Sequence, residues 1–186
     1  MKTFSHNRTV RIAVLGPQEP SRTRVDVFEK AKALGKELGY AHSAVIAVPA
    51  KGFSDWVMSG AKDVKALTIG ISPAATEEEH IKTYRLPIEN FEMVLYTGFG
   101  QSGAELMLSR NCDACIIGFP DAQMAKDILT LLDPNIPVGV LEGEQQSSIN
   151  AFGHVYESTG RRVEDIVFDT DPRNLLQKLM TRIPEF

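Results

Sequence analysis

Four glycine-bearing turns hold most of the residues whose types could do chemistry: Gly16 to Arg24, Pro49 to Asp55, Gly98 to Gly103 and Gly118 to Gln123. Each follows a short apolar run and leads into a segment with helical spacing. Such a turn aims unpaired N–H groups and the positive end of a helix dipole at one point, an arrangement that favours an anion. Gly16, Gly52, Gly98, Gly100 and Gly118 permit close backbone approach by a ligand, but turns also favour glycine for their own sake, and both readings stand at this point. The other residues of these turns placed to meet a ligand are Pro17, Gln18, Ser21, Arg22, Lys51, Phe53, Ser54, Phe119, Pro120, Asp121 and Gln123. Lys51, Arg22 and Arg24 offer cations for an anion, or are solvated surface charge. Phe53 and Trp56 open an amphipathic segment, where packing is expected before stacking on a base. The stretch "GPQEPS" is not a Walker A loop, because no G-K-[ST] ends it.

The remaining reactive side chains point elsewhere. Cys112 and Cys115 have C-x-x-C spacing but run straight into the strand-like "ACIIG", whereas a redox pair sits at a helix N-terminus that lowers a thiol pKa. They read as structural thiols. His6, His42, His80 and His154 show no ligand spacing, so no metal is assigned, and no cofactor is identifiable. "TEEEH" reads as a solvated acidic turn. A formal net charge of -4 argues against a general nucleic-acid or anionic-membrane binder. No apolar run reaches the roughly 20 residues of a membrane span, and "MKTFSHNRTVR" lacks a signal peptide's apolar core, so a cytoplasmic location is expected.

The elements that must position these turns alternate strand with helix. Strands are expected at Val10 to Gly16, Ser43 to Pro49, Ala66 to Pro73, Phe91 to Gly98, "DACIIG" and Ile136 to Gly143. Between them, "VDVFEKAKALGKELGY", "FSDWVMSGAKDV" and "QSGAELMLSRN" carry helical spacing. This alternation implies an α/β fold with a doubly wound, mainly parallel sheet and helices on both faces. With 186 residues, a single domain spanning 1–186 is expected. Two segments fall outside the alternation. "AATEEEHIKTYRLPIEN" reads as a polar surface excursion, and "EQQSSINAFGHVYESTGRR" as an exposed loop. After it, "EDIVFDTDPRNLLQKLM" suggests a short edge strand and a helix capped by Asp171 with Pro172 at its first position. Ligands of such sheets bind beyond the carboxyl ends of the strands, where strand order reverses, and the four turns lie at those ends.

At these turns the sequence resembles the LOG family, the lysine-decarboxylase-like Rossmann proteins that include cytokinin-activating phosphoribohydrolases, and the related molybdenum-cofactor carriers. "IAVLGPQEPS" and "AKALGKELG" are similar to the family's first strand, glycine-serine loop and A-x-x-L-G-x-x-L helix. "GFSDWVMSGAKDVKALTIGISP" is similar to its second loop, helix and third strand. "LMLSRNCDACIIGFPDAQMAKDILTLLDPNIPVGVL" follows the layout around the P-G-G-x-G-T-x-x-E motif. The resemblance covers Val10 to Leu141 and implies a Rossmann-like fold. It also implies a homodimer or higher homo-oligomer, with "WVMSGA" and "AELMLS" offering apolar contact surface.

The motif residues depart from the family. Pro17 replaces the serine of the first loop, and Val48-Pro49 stand where paired glycines are usual. The G-G-x-G-T segment falls on Phe119, Pro120, Asp121, Gln123 and Met124, the motif glutamate on Asp127 and the motif arginine on Ala104. Asp127 is the one candidate catalytic carboxylate; an exposed helix-face acid is the alternative. Arg110 could offer a cation, or serve its helix's C-terminal dipole. The resulting expectation is a protein that binds a nucleotide or another phosphorylated small molecule without phosphoribohydrolase activity. A working nucleoside 5'-monophosphate phosphoribohydrolase and a cofactor carrier are the alternatives.

Overall fold

The computed structural model describes residues 9–18, 25–143, 158–160 and 162–184. Ser21, Arg22 and Arg24 lie outside the described residues, as does most of the expected loop "EQQSSINAFGHVYESTGRR". The strands are β1 (Arg11–Leu15), β2 (Ala44–Ala47), β3 (Thr68–Ser72), β4 (Met93–Tyr96), β5 (Ala114–Gly118), β6 (Val138–Leu141) and β7 (Ile166–Asp169). They form one parallel sheet in the order β4-β3-β2-β1-β5-β6-β7. The α-helices are α1 (Val25–Tyr40), α2 (Phe53–Asp63), α3 (Glu77–Lys82), α4 (Gly100–Arg110), α5 (Ala122–Leu131) and α6 (Pro172–Met180). The α/β, Rossmann-like sheet expected from the alternation is therefore present, and the C-terminal "IVFD" supplies one edge strand.

Because successive strand side chains point to opposite faces, the central strands feed two cores. Ile12 and Val14 of β1 pack with Val27, Leu34, Val57 and Leu175 under α1, α2 and α6. Ala13 between them packs with Leu108, Ile117, Leu129 and Val140 under α4 and α5. Asp171 caps α6 by accepting from the Asn174 N–H at 2.9 Å, and Pro172 follows it as expected.

Helices α1 and α2 approach until their backbones touch. A Cβ on Gly35 would stand 2.0 Å from the Val57 carbonyl oxygen, and one on Gly60 2.1 Å from that of Lys32. This corrects the assignment of "WVMSGA" as contact surface between copies: Val57, Met58, Gly60 and Ala61 are buried within the protomer, and Trp56 packs edge-on against Phe28. At the other end of the sheet, Arg11 donates from Nε and Nη2 to the two carboxylate oxygens of Asp113 at 3.0 and 2.9 Å, clasping the starts of β1 and β5. Cys112 and Cys115 are both buried.

The polar excursion after β3 has more structure than its composition suggests. Thr76 caps α3 by accepting from the Glu79 N–H, and Glu77, Glu78 and Glu79 sit in the first turn, where the helix dipole favours them. On the opposite side of this short helix, His80 is fully buried and faces Tyr96 edge-on at 5.8 Å.

Candidate functional site

The strand order reverses between β1 and β5, so the carboxyl edge of these two strands is where a ligand of a doubly wound sheet sits. Gly16 ends β1 there and Gly118 ends β5. The space beside both is filled by Phe53. A Cβ on Gly16 would stand 2.4 Å from the Phe53 ring, and one on Gly118 2.2 Å from it. Phe53 is fully buried, and its ring meets Phe119 edge-on with centroids 6.0 Å apart. The two glycines thus make room for an aromatic side chain of the protein itself.

One donor at each of three helix N-termini is also engaged. Asp121 accepts from the Met124 N–H at 2.8 Å, placing a carboxylate where the α5 terminus would meet an anion. The Phe53 N–H at the start of α2 donates to the Pro17 carbonyl at 3.2 Å, and the Gly100 N–H at the start of α4 donates to that of Pro73 at 3.1 Å. Ser54 turns its hydroxyl inward toward the Val14 carbonyl, 3.4 Å away. Pro120 has no N–H to give. Phe119 adopts a left-handed backbone, φ 47°, that glycine takes more readily. The turn after β5 therefore keeps a glycine-like shape while its chemistry has been replaced.

A hollow of about 360 Å³ lies between the loops after β1 and β2 and the segment that follows α3. Gln18, Ala50, Lys51, Tyr84, Arg85 and Leu86 line it. Gln18 and Lys51 belong to the expected turns; Tyr84 and Arg85 come from the excursion, which carries no motif and an ordinary surface composition. The bend that holds them is tied down by a buried relay. The Ala74 N–H donates to the Ser72 hydroxyl oxygen at 3.1 Å, and Ser72 Oγ lies 2.8 Å from His80 Nδ1. His80 Nε2 lies 3.2 Å from the Pro87 carbonyl oxygen. A carbonyl only accepts, so Nε2 carries a proton toward Pro87.

Asp127 occupies a different place, on the α4 and α5 side of the sheet. Gln123 Nε2 donates to its Oδ1 at 2.8 Å, and Gln101 Nε2 does the same for Glu105 Oε1 at 2.7 Å. Asp127 and Glu105 both line a largely apolar cavity of about 120 Å³ with Ala13, Leu15 and Leu108. Ala104, at the family's arginine position, is buried in this core. Arg110 lies at the far end of α4 and pairs with Asp133 at 3.8 Å, so no cation converges on Asp127 from there. Gly98 stands at the β4 edge against Ala75, three strands from β1, roughly 14 Å at ordinary strand spacing. Among the described residues, no group of three His, Cys, Asp or Glu side chains could hold a metal ion. Asp55, in the first turn of α2, has its carboxyl pushed above the usual range by burial, against the Asn90 amide that donates to it at 2.8 Å. Glu142, buried at the carboxyl end of β6, is a further carboxylate at this edge that the sequence did not single out.

The same architecture occurs in solved structures. The molybdenum cofactor binding protein from the phototrophic bacterium Rippkaea orientalis aligns with a TM-score of 0.74 at 18% identity, covering 96% of this chain and 99% of that one. The molybdenum cofactor carrier protein of Chlamydomonas reinhardtii aligns with a TM-score of 0.68 at 16% identity, covering 95% of this chain and all of the other (100%). DNA processing protein A from Streptococcus pneumoniae aligns at 0.59 and 13% identity, with 96% of this chain covering 62% of that one. At these identities the likeness is one of fold. No curated protein matches the chain. A model of the SLOG cluster4 family matches residues 9–174, from ahead of β1 into α6, and the chain belongs to that family.

Proposed function

We propose that the protein binds a nucleotide or another phosphorylated small molecule at the carboxyl edge of its sheet and does not hydrolyse it as a phosphoribohydrolase. The turn after β5 carries this reading: Pro120 and the self-capping Asp121 replace N–H donors and an open anion site, while a hollow of about 360 Å³ persists at the loops after β1 and β2. N-glycosidic hydrolysis needs a held phosphate, a carboxylate at the ribose and a positioning cation together. Among the described residues no cation pairs with Asp127, and the turn ahead of α5 holds the Asp121 carboxylate instead of an open phosphate site.

The testing experiment incubates the protein with adenosine 5'-monophosphate, measuring bound nucleotide by equilibrium dialysis and free adenine by chromatography. Binding without adenine release is expected. Turnover that Asp127→Asn abolishes would overturn the non-hydrolytic reading. Losing one preorganised donor costs about a hundred- to a thousand-fold, so several replacements put any residual rate far below that of an intact phosphoribohydrolase.

A second reading, a carrier of the molybdenum cofactor, is favoured by the end-to-end match to two proteins that bear that description. Mass spectrometry of small molecules released from the natively purified protein separates the two. Homo-oligomerisation belongs to the same reading. Met93 and Leu95 of β4 pair in register with Ile69 and Ile71, on the α4 side of the sheet, and are exposed there, as is Leu106 of α4.

A further inference from the structure

We infer that the hollow between Lys51 and Arg85 is the anion subsite of this protein, taking a phosphate monoester whose planar ring lies against Tyr84. The inference rests on the ligand-binding reading above and adds where the ligand sits and which residues recognise it. Most cations of the described residues have a protein partner: Arg11 with Asp113, Lys32 with Asp63, Lys82 with Glu78, Arg110 with Asp133, Arg162 with Asp165, Arg173 with Glu37 and Lys178 with Asp169. Lys51 and Arg85 have none among the described residues, and chain segments more than thirty positions apart bring them to the same hollow. Two unneutralised cations facing one concavity attract an anion of matching size.

The backbone at Arg85 points the same way. Its φ is 54°, in the left-handed region. His42 and Lys65 share that conformation because each closes a helix, with the next N–H returning to a carbonyl five residues back, Ser43 to Leu38 and Ala66 to Ala61. Arg85 closes α3 in a wider bend, where the Leu86 N–H reaches back six residues to His80. Glycine would occupy that position with less strain, so an arginine there is a departure that clusters at binding sites. The bend is held from beneath by the relay from Ser72 through His80 to Pro87, which fixes Tyr84 and Arg85 before any ligand arrives. The rival anion position at the α5 terminus already holds the Asp121 carboxylate. Tyr84, 37% exposed, offers a ring face that a heteroaromatic ring can stack on, and a volume of about 360 Å³ accommodates both ring and phosphate.

Isothermal titration of the whole protein with adenosine 5'-monophosphate and with inorganic phosphate, at low salt, tests the assignment. Arg85→Gly is the decisive variant, because it removes the cation while suiting the backbone. Its thermal midpoint is expected to stay level or rise while nucleotide affinity falls by at least about tenfold, the loss of one charged hydrogen bond. Arg85→Lys recovers part of that loss, and Lys51→Met weakens both ligands. Tyr84→Leu weakens the nucleotide but leaves inorganic phosphate unchanged. Wild-type affinity in both Arg85→Gly and Lys51→Met would overturn the subsite while leaving ligand binding elsewhere intact. A wild-type protein that binds neither probe would overturn the binding reading and the subsite with it.

Discussion

Phe53 decides what the switch point is. One side chain fills the space beside Gly16 and Gly118, meets Phe119 edge-on and leaves no exposed surface. Phe53→Ala should cost about 3–5 kcal/mol, as large core aromatics do when truncated, and urea unfolding measures it. The same cycle tests why residue 118 is glycine. Gly118→Ala collides with the ring in the wild type, so it should destabilise there and be nearly neutral in the Phe53→Ala background. Equal penalties in both backgrounds would mean that the glycine answers to something other than Phe53. In the sequence, a glycine beside a helix N-terminus is the sign of a phosphate turn, and nothing local distinguishes making way for a ligand from making way for a phenylalanine more than thirty residues away. Asp121 was legible as a cap residue by type, but its consequence, a resident carboxylate at the anion position, appears only once α5 is seen to start at Ala122.

At the level of elements, the strand and helix pattern could be read because its cause is local: buried parallel strands are short apolar runs, and α1, α2 and α4 repeat apolar residues at helical spacing. The excursion after β3 was not legible as part of a site. Its organising contacts are a buried serine, a histidine eight residues on and a proline carbonyl, and none of these leaves a compositional mark. The joint between β7 and α6 supplies a test of element docking. Burial raises the Asp169 carboxyl, but the Lys178 ammonium at 2.6 Å and the N–H groups of Asp171 and Thr170 outweigh it and hold it below the usual range. A carboxyl depressed in the folded state contributes stability that is present above its unfolded value, about 3.9, and is lost as pH falls through the folded value. Lys178→Met should therefore lower stability near pH 7 by roughly 0.5–1 kcal/mol, its ammonium being largely solvated, and flatten the loss of stability below about pH 4. Denaturant titrations at pH 7 and pH 3 check both parts. An unchanged slope with pH would detach Lys178 from the acid response.

On the scale of the whole molecule, one group of exposed apolar residues lies along the β4 edge and α4: Met93, Leu95, Phe99 and Leu106 are each between 45% and 72% exposed. An apolar patch of this kind on a parallel edge strand is the sort that a second copy covers. Sedimentation at micromolar concentration should give a homodimer for the wild type. The double variant Leu95→Lys and Leu106→Glu should give a monomer with a folded far-ultraviolet spectrum. A wild-type monomer, or a double variant that still sediments as a dimer, would move the contact elsewhere or remove it. "AELMLS" remains the segment of the sequence that offers such surface; "WVMSGA" does not, because Gly35 and Gly60 let α1 take it up inside the protomer.

The clasp between Arg11 and Asp113 joins residues 102 positions apart, and β1 has β5 as its neighbour on that side. The chain builds β1 to β4 outward in one direction before it crosses back, so on the ribosome β1 waits for its second neighbour. At about 5–20 residues per second, the wait is on the order of ten seconds. A half-sheet assembled in that interval would present the open side of its future central strand, with amide and carbonyl groups that a passing extended segment could pair with. Until Asp113 emerges, the Arg11 charge stands at the mouth of that edge, where a cation discourages strand addition. The residue that later fastens the two halves of the sheet thus guards the first half while the second is still being made.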